Sequence, residues 1–222
     1  VRGFVYRNLI GVQGADDLAI ESYNKAISLE SASPFGFTEL GRVYLIKAQS
    51  LSNKKDMADE RKETLNKALD SLNKAVELKS DYAPAHYLIA LVYEQQGKSN
   101  DAINSLEKTK TIVPNDVGLA FQLGILYYQR DELNKAQLEL ERARDLQSNY
   151  ANARYMLGLV YDRQGRNNKA VEEFTKVLEL NPNNEQVKII LNNLNNGRPA
   201  LTGIQPSQPP IQENPSEIKD KE

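Results

Sequence analysis

A chain of 222 residues with 40% hydrophobic positions carries enough apolar material for a buried core, which excludes wholesale disorder. Its 28 Lys+Arg against 30 Asp+Glu leave a formal net charge of −2, so nothing in the balance draws it to nucleic acid or to an anionic membrane. The absence of Cys removes disulfides, thiolate nucleophiles and zinc–cysteine sites, and a single His, His86, removes any multi-histidine metal or catalytic cluster.

No apolar run approaches the roughly 18 residues of a membrane span, so membrane insertion by this segment is not expected. The opening Val1-Arg2-Gly3-Phe4 has neither an initiator Met nor a signal-peptide apolar region, which points to sequence upstream. From there the chain is periodic. Leu40-Gly41-Arg42-Val43-Tyr44, Ile89-Ala90-Leu91-Val92-Tyr93, Leu123-Gly124-Ile125-Leu126-Tyr127 and Leu157-Gly158-Leu159-Val160-Tyr161 share one pattern, and Ala90, Gly124 and Gly158 are 34 residues apart. An in-phase series follows, with Ala102, Ala136 and Ala170 at one site and Leu106, Leu140 and Phe174 four residues later. Pro114, Ser148 and Pro182 close the units.

In chain order, a first unit over about residues 1–33 opens with Arg2-Gly3-Phe4-Val5-Tyr6, too close to the start for a complete first helix. It carries extra residues around Gly11-Val12-Gln13-Gly14, read as a longer helix end and turn. Asp16-Asp17 then charge the N-terminus of the next helix, where anions are favoured. The second unit, 34–82, holds 15 extra residues around Lys47 to Glu63, with Ala48, Leu51, Met57, Arg61 and Leu65 in helical rhythm and no Pro or Gly. The spacing predicts two helices each grown by about two turns, projecting roughly 11 Å, with Leu51 and Met57 near the tip.

Units 83–116, 117–150 and 151–184 are regular. Gly inside a helix costs about 1 kcal/mol against Ala, so its recurrence at Gly41, Gly124 and Gly158 implies close approach of a neighbouring helix. Pro34, Pro84, Pro114 and Pro182 fall between helices or in a first turn, never in a helix interior. Residues 185–196 begin another unit but place Asn192 and Asn195 where Gly and Tyr belong, which reads as a polar capping helix. From Gly197 on, five of the nine prolines fall in the last 26 residues, so 197–222 is expected to be a Pro-rich extended or disordered tail.

The Leu-Gly-x-x-Tyr, Ala-x-x-x-Phe, Pro pattern at this spacing resembles the tetratricopeptide repeat family. The resemblance covers residues 1 to about 196. It implies an all-α, right-handed superhelical solenoid of antiparallel helix pairs with a C-terminal capping helix. The Trp usual early in each repeat is replaced here by Phe37, His86, Ala120 and Arg154, and Thr109 stands where a small Ala is usual. His86 therefore reads as a packing residue, not a catalytic one.

The resemblance also implies that the first helix of each pair lines a concave groove through two positions, one after the Trp site and one after the Gly site. These are Thr38 and Arg42, Tyr87 and Leu91, Phe121 and Ile125, and Tyr155 and Leu159. With Tyr128 they form an aromatic and aliphatic strip, rimmed by Glu94, Asp162 and Arg163, of the kind that marks a partner site. The Lys of the family's clamp for acidic chaperone tails is absent from the leading positions, so that ligand class is not expected.

The expectation is a non-catalytic scaffold, without cofactor or metal, that binds a peptide or protein segment. One alternative is a structural subunit that forms homo-oligomers or filaments by repeat stacking or tail docking. Another is the soluble part of a larger, membrane-associated protein: Val5-Tyr6-Arg7-Asn8-Leu9-Ile10-Gly11-Val12 resembles repeats appended to bacterial multi-span membrane proteins of polysaccharide assembly. The compartment is not readable beyond the choice between cytoplasm and such a membrane-associated setting.

Overall fold

The computed structural model describes residues 14–204. The Arg2–Tyr6 pattern, the Val5–Val12 run, the Gly11 end of the first turn and the prolines from Pro206 on lie outside the described residues. Ten α-helices, one short 3-10 turn and no β-strand make up the described residues, so the fold is the all-α, helix-pair architecture of a repeat solenoid. They fall into two compact units that divide between Pro114 and Asn115.

The first unit holds α1 (Ala15–Leu29), α2 (Pro34–Ser50), α3 (Ala58–Leu78), α4 (Ala83–Gln95) and α5 (Ser99–Ile112). Pro34 and Pro84 sit in the first turns of α2 and α4, where a missing N–H costs nothing. Asp16 and Asp17 lie in the first turn of α1 and also pair with Lys47 of α2 at 2.7 and 3.4 Å. The Lys47 hydrogen bond holds Asp16 below the ordinary carboxylate range. Ala19 and Tyr23 of α1 bury Leu40 and Val43, while Leu45, Leu65, Leu72, Leu88 and Val92 form the core shared by α2, α3 and α4.

The second unit holds α6 (Val117–Gln129), α7 (Leu133–Leu146), α8 (Ala151–Arg163), α9 (Asn167–Leu180) and α10 (Glu185–Asn195). Asp116 and Asn184 cap α6 and α10, accepting from the amides of Leu119 at 2.7 Å and Val187 at 3.1 Å. The recurrent glycines have a steric cause. A Cβ on Gly41 would lie 2.6 Å from Leu72 Cγ, on Gly124 2.5 Å from Leu140 Cγ, and on Gly158 2.7 Å from the Phe174 ring. In these three pairs the second helix thus packs against the backbone of the first.

The end of each regular first helix is also repeated. Lys98, Glu132 and Arg166 donate their amides to the carbonyls of Tyr93, Tyr127 and Tyr161 at 2.8–2.9 Å, across left-handed residues Gly97, Asp131 and Gly165. Asp131, at φ 61, is the one non-glycine with positive φ among the described residues. Asp131→Gly should therefore stabilise the chain by about 0.5 kcal/mol and Asp131→Ala should not. Denaturant midpoints of the two variants check this.

The insertion follows the predicted rhythm only in part. α2 has 17 residues and α3 has 21, against 13 and 14 in the regular pairs, so they outrun their neighbours by roughly 6 and 10 Å. Between them Leu51 to Lys54 form a turn, followed by the 3-10 turn Lys55–Met57. Leu51 is buried although it lies in the turn, just past the end of α2.

The cap differs from its expected register. α10 is 11 residues long, and Arg198 N donates to Asn193 O at 2.9 Å in the bond that Arg166 makes to Tyr161. Asn193, not Asn195, thus takes the place of the repeat Tyr in α10, and it is buried. Nor is the head of the tail free: Ala200 is fully buried.

Candidate functional site

Within each unit the first helices of successive pairs touch, α2 with α4 and α6 with α8, more closely than the second helices do. Elements that meet across repeats lie on the inside of a curved stack, so the inner face belongs to the first helices. In the first unit Thr38 is buried, its Oγ1 donating to Pro34 O at 2.9 Å, and Arg42 is half-buried with Nε donating to Glu39 at 3.1 Å. Both are engaged within α2. Tyr87, Leu91 and Glu94 of α4 are each partly exposed and present one face along that helix.

In the second unit Phe121, Ile125 and Tyr128 of α6 are partly exposed. Phe121 gives part of its ring to Tyr150, edge to face at 5.0 Å. Arg163 reaches from α8 to cover Tyr128, its guanidinium 4.1 Å from the ring centroid, with Asp131 3.7 Å away. Burial raises the Tyr128 phenol above its ordinary value against the opposing Arg163 charge. Tyr155 is pushed up to about 12, first by burial and then by Tyr128. Both phenols are therefore neutral donors and acceptors at any physiological pH.

Tyr155 and Leu159 do not join an exposed strip. They are 7% and 6% exposed, with Tyr155 packed edge to face on Phe174 at 5.5 Å and its hydroxyl 3.5 Å from Gln186 Nε2 of α10. The structure thus brings Ile125, Tyr128 and Arg163 together at the surface and withdraws Tyr155 and Leu159 into the interior. Gln186 was invisible to the repeat pattern because it belongs to the cap.

Two further residues gain a role from the fold. His86 Nε2 lies 2.8 Å from Ser80 O and Arg154 Nε lies 2.9 Å from Ser148 O, both at the site where the pattern expects Trp. A carbonyl only accepts, so the His86 hydrogen sits on Nε2. Each residue ties its helix to the turn that precedes it. Arg154 also reaches Glu173 at 2.8 Å, and Arg144 reaches the same carboxylate at 2.9 Å. Burial works against the Arg144 charge, but its bonds to Glu173 and Asp145 outweigh it and raise the guanidinium further.

Among the described residues no three His, Asp or Glu side chains converge as a metal site would require, and no helix is long and apolar enough to cross a membrane. No curated protein matches the sequence. Several solved structures share the fold. MamA is 24% identical, with 78% of this chain and 93% of that one covered at a TM-score of 0.63. YrrB, described as a TPR protein with an unusual peptide-binding site, is 21% identical, with 82% and 86% covered at 0.61. TTC0263, a thermophilic TPR protein of Thermus thermophilus, is 19% identical, with 86% and 96% covered at 0.57. Residues 61–97 match a TPR repeat, and residues 83–116 and 151–184 each match a tetratricopeptide repeat. Together with the shared turns and glycine contacts, these matches show that residues 61–116 and 151–184 of the chain carry tetratricopeptide repeats.

Proposed function

We propose that this chain is a non-catalytic protein-interaction scaffold that binds a peptide or protein segment on the inner faces of its first helices. The observation that carries this reading is the set of apolar side chains left partly exposed there: Tyr87 and Leu91 in one unit, Ile125 and Tyr128 in the other. Core demand does not explain them, because the same helices already bury Leu88, Val92, Leu123 and Leu126. Glu94 and Arg163 supply charge beside each patch, as the polar rim of an interface does. His86, the single imidazole, is spent on a backbone carbonyl, which supports a scaffold over an enzyme. The peptide-binding site named for YrrB, on the same fold, supports the ligand class.

The test is a peptide-display selection against the purified chain, followed by titration of the enriched peptides into Leu91→Glu and Ile125→Glu. A buried charge facing an apolar ligand should weaken binding at least tenfold, about 1.4 kcal/mol, in the variant whose unit the peptide uses. Peptides that bind both variants as tightly as the parent would remove the inner faces from consideration.

A second reading, assembly of copies end to end, is favoured by Leu180 and Ile189, which are 43% and 49% exposed near the C-terminal end of the second unit. Sizing across a concentration series separates it from a monomeric binder.

A further inference from the structure

The last described residues fold back onto the first helices of the second unit. Gly197, at φ 67, makes the left-handed turn that follows α8 at Gly165, but Pro199 comes at once and no second helix starts. Pro199 to Ile204 instead form two short turns, with the amides of Thr202 and Ile204 donating to Pro199 O at 3.1 Å and Leu201 O at 3.0 Å. Two helix ends hold this strap by its backbone. Asp162 Oδ2 of α8 accepts from Ala200 N at 3.0 Å, and Asn193 Nδ2 of α10 donates to Ala200 O at 3.0 Å and Thr202 O at 2.8 Å. Ala200 is fully buried, and Leu201 and Ile204 are partly so. Asp162 stands at the repeat position of Glu94 and Tyr128, so the strap is pinned at the end of the inner face. Leu159, one turn earlier on the same side of α8, is buried, whereas its equivalents Leu91 and Ile125 are partly exposed. α10 does not account for the difference, because it approaches α8 less closely than α8 approaches α6.

We propose that residues 199–204 are an autoinhibitory strap, which covers Leu159, closes the C-terminal end of the second unit's inner face, and lifts when a ligand runs past Ile125 onto α8. The role in binding rests on the inner-face reading above. The strap has the chemistry of an occupant that can leave. Pro199-Ala200-Leu201-Thr202-Gly203-Ile204 carries no charge, so it seats without desolvating an ion and keeps Leu159 from water while no ligand is bound. Asp162 and Asn193 grip only its main chain. An incoming peptide brings the same N–H and C=O groups, so neither side chain is left unpaired when the strap gives way. Its covalent tether to α10 gives it a high effective concentration, so it returns when the ligand departs.

The chain has no Cys, so Leu159→Cys, Ile125→Cys and Leu157→Cys each supply a unique thiol in the full chain, to be followed by maleimide labelling. Ala200→Glu puts a carboxylate at a fully buried position beside Asp162 and should expel the strap. Labelling of Leu159→Cys should then quicken roughly tenfold, while Ile125→Cys and the fully buried Leu157→Cys keep their rates. Asp162→Ala should quicken it too, and Asp162→Asn, whose amide oxygen still accepts, should not. An unchanged rate for Leu159→Cys in both Ala200→Glu and Asp162→Ala would overturn the proposal. So would equal quickening of Leu157→Cys, since that means the helices part and no strap lifts. Peptides that engage the second unit should also bind Ala200→Glu about tenfold more tightly, and equal affinity would remove the autoinhibitory role. The labelling rates involve no ligand, so failure of the strap and failure of the inner-face reading are told apart.

Discussion

Gly158→Leu should destabilise the second unit by about 3 kcal/mol, a fall of roughly 6–12 °C in melting temperature. The added Cβ alone would lie 2.7 Å from Phe174 Cε2 and 2.8 Å from Cζ, and the ring is fully buried with no room to retreat. A leucine adds three more carbons to that contact, so α8 and α9 must separate. Because repeats are stabilised by their nearest neighbours, amide protection should fall first in α8 and α9 and later in α2 and α3. Hydrogen exchange by mass spectrometry reads this directly, and uniform loss along the chain would contradict it.

Glu173→Ala should cost about 2–3 kcal/mol, the second large effect. The carboxylate is 7% exposed and receives Arg144 at 2.9 Å and Arg154 at 2.8 Å. Removing it leaves Arg154, 16% exposed, without a carboxylate and Arg144, 24% exposed, with only the exposed Asp145 at 2.9 Å. Breaking a fully buried pair in this way costs about 3–5 kcal/mol, and the residual solvent contact of the two arginines reduces the figure. The exposed pair Lys176–Glu179, at 2.8 Å on the same helix, supplies the control, since Lys176→Ala should change stability by less than about 0.5 kcal/mol. Urea midpoints of the two variants, compared at constant slope, decide the matter.

The parts of the fold that are legible in the sequence are those where one backbone event recurs. The small residue at the close approach, Gly41, Ala90, Gly124 or Gly158, the Tyr one turn beyond it and the prolines confined to first turns and inter-helix positions are demands of the same recurring packing, so they leave a period in the sequence. Features set by a single contact leave none. The reversal at Leu51–Lys54 hides behind a helical rhythm, because Leu51 is buried in a turn as it would be in a helix. The shortened cap shifts Asn193 into the place of Tyr, and only its bonds to Ala200 and Thr202 reveal why an amide is wanted there.

The surface is legible to the same degree. Helical spacing identifies which face Tyr87, Leu91, Ile125 and Tyr128 share, since that follows from 3.6 residues per turn. Spacing carries no information on what covers a residue from outside its own repeat. Tyr155 and Leu159 are therefore buried despite holding the same repeat positions as Phe121 and Ile125. His86 and Arg154 look like losses at a Trp site. They are donors to the turns at Ser80 and Ser148, a use that becomes apparent only when the carbonyls are located.

A periodic scaffold has a difficulty of its own, because a ligand that fits one repeat fits the next, and its binding is spread over several offsets of nearly equal energy. The long α2–α3 hairpin breaks that equivalence. Its tip is the single place among the described residues where a helix pair outruns its neighbours, and Arg61 Nη2 spans from it to Gln95 O and Oε1 at 3.3 and 3.2 Å, which braces it against α4. A ligand that abuts this ledge has one offset at which it is flush and others at which it collides. For the segment binding proposed above, the insertion would serve as an index mark, giving a surface of near-identical steps a defined origin and direction.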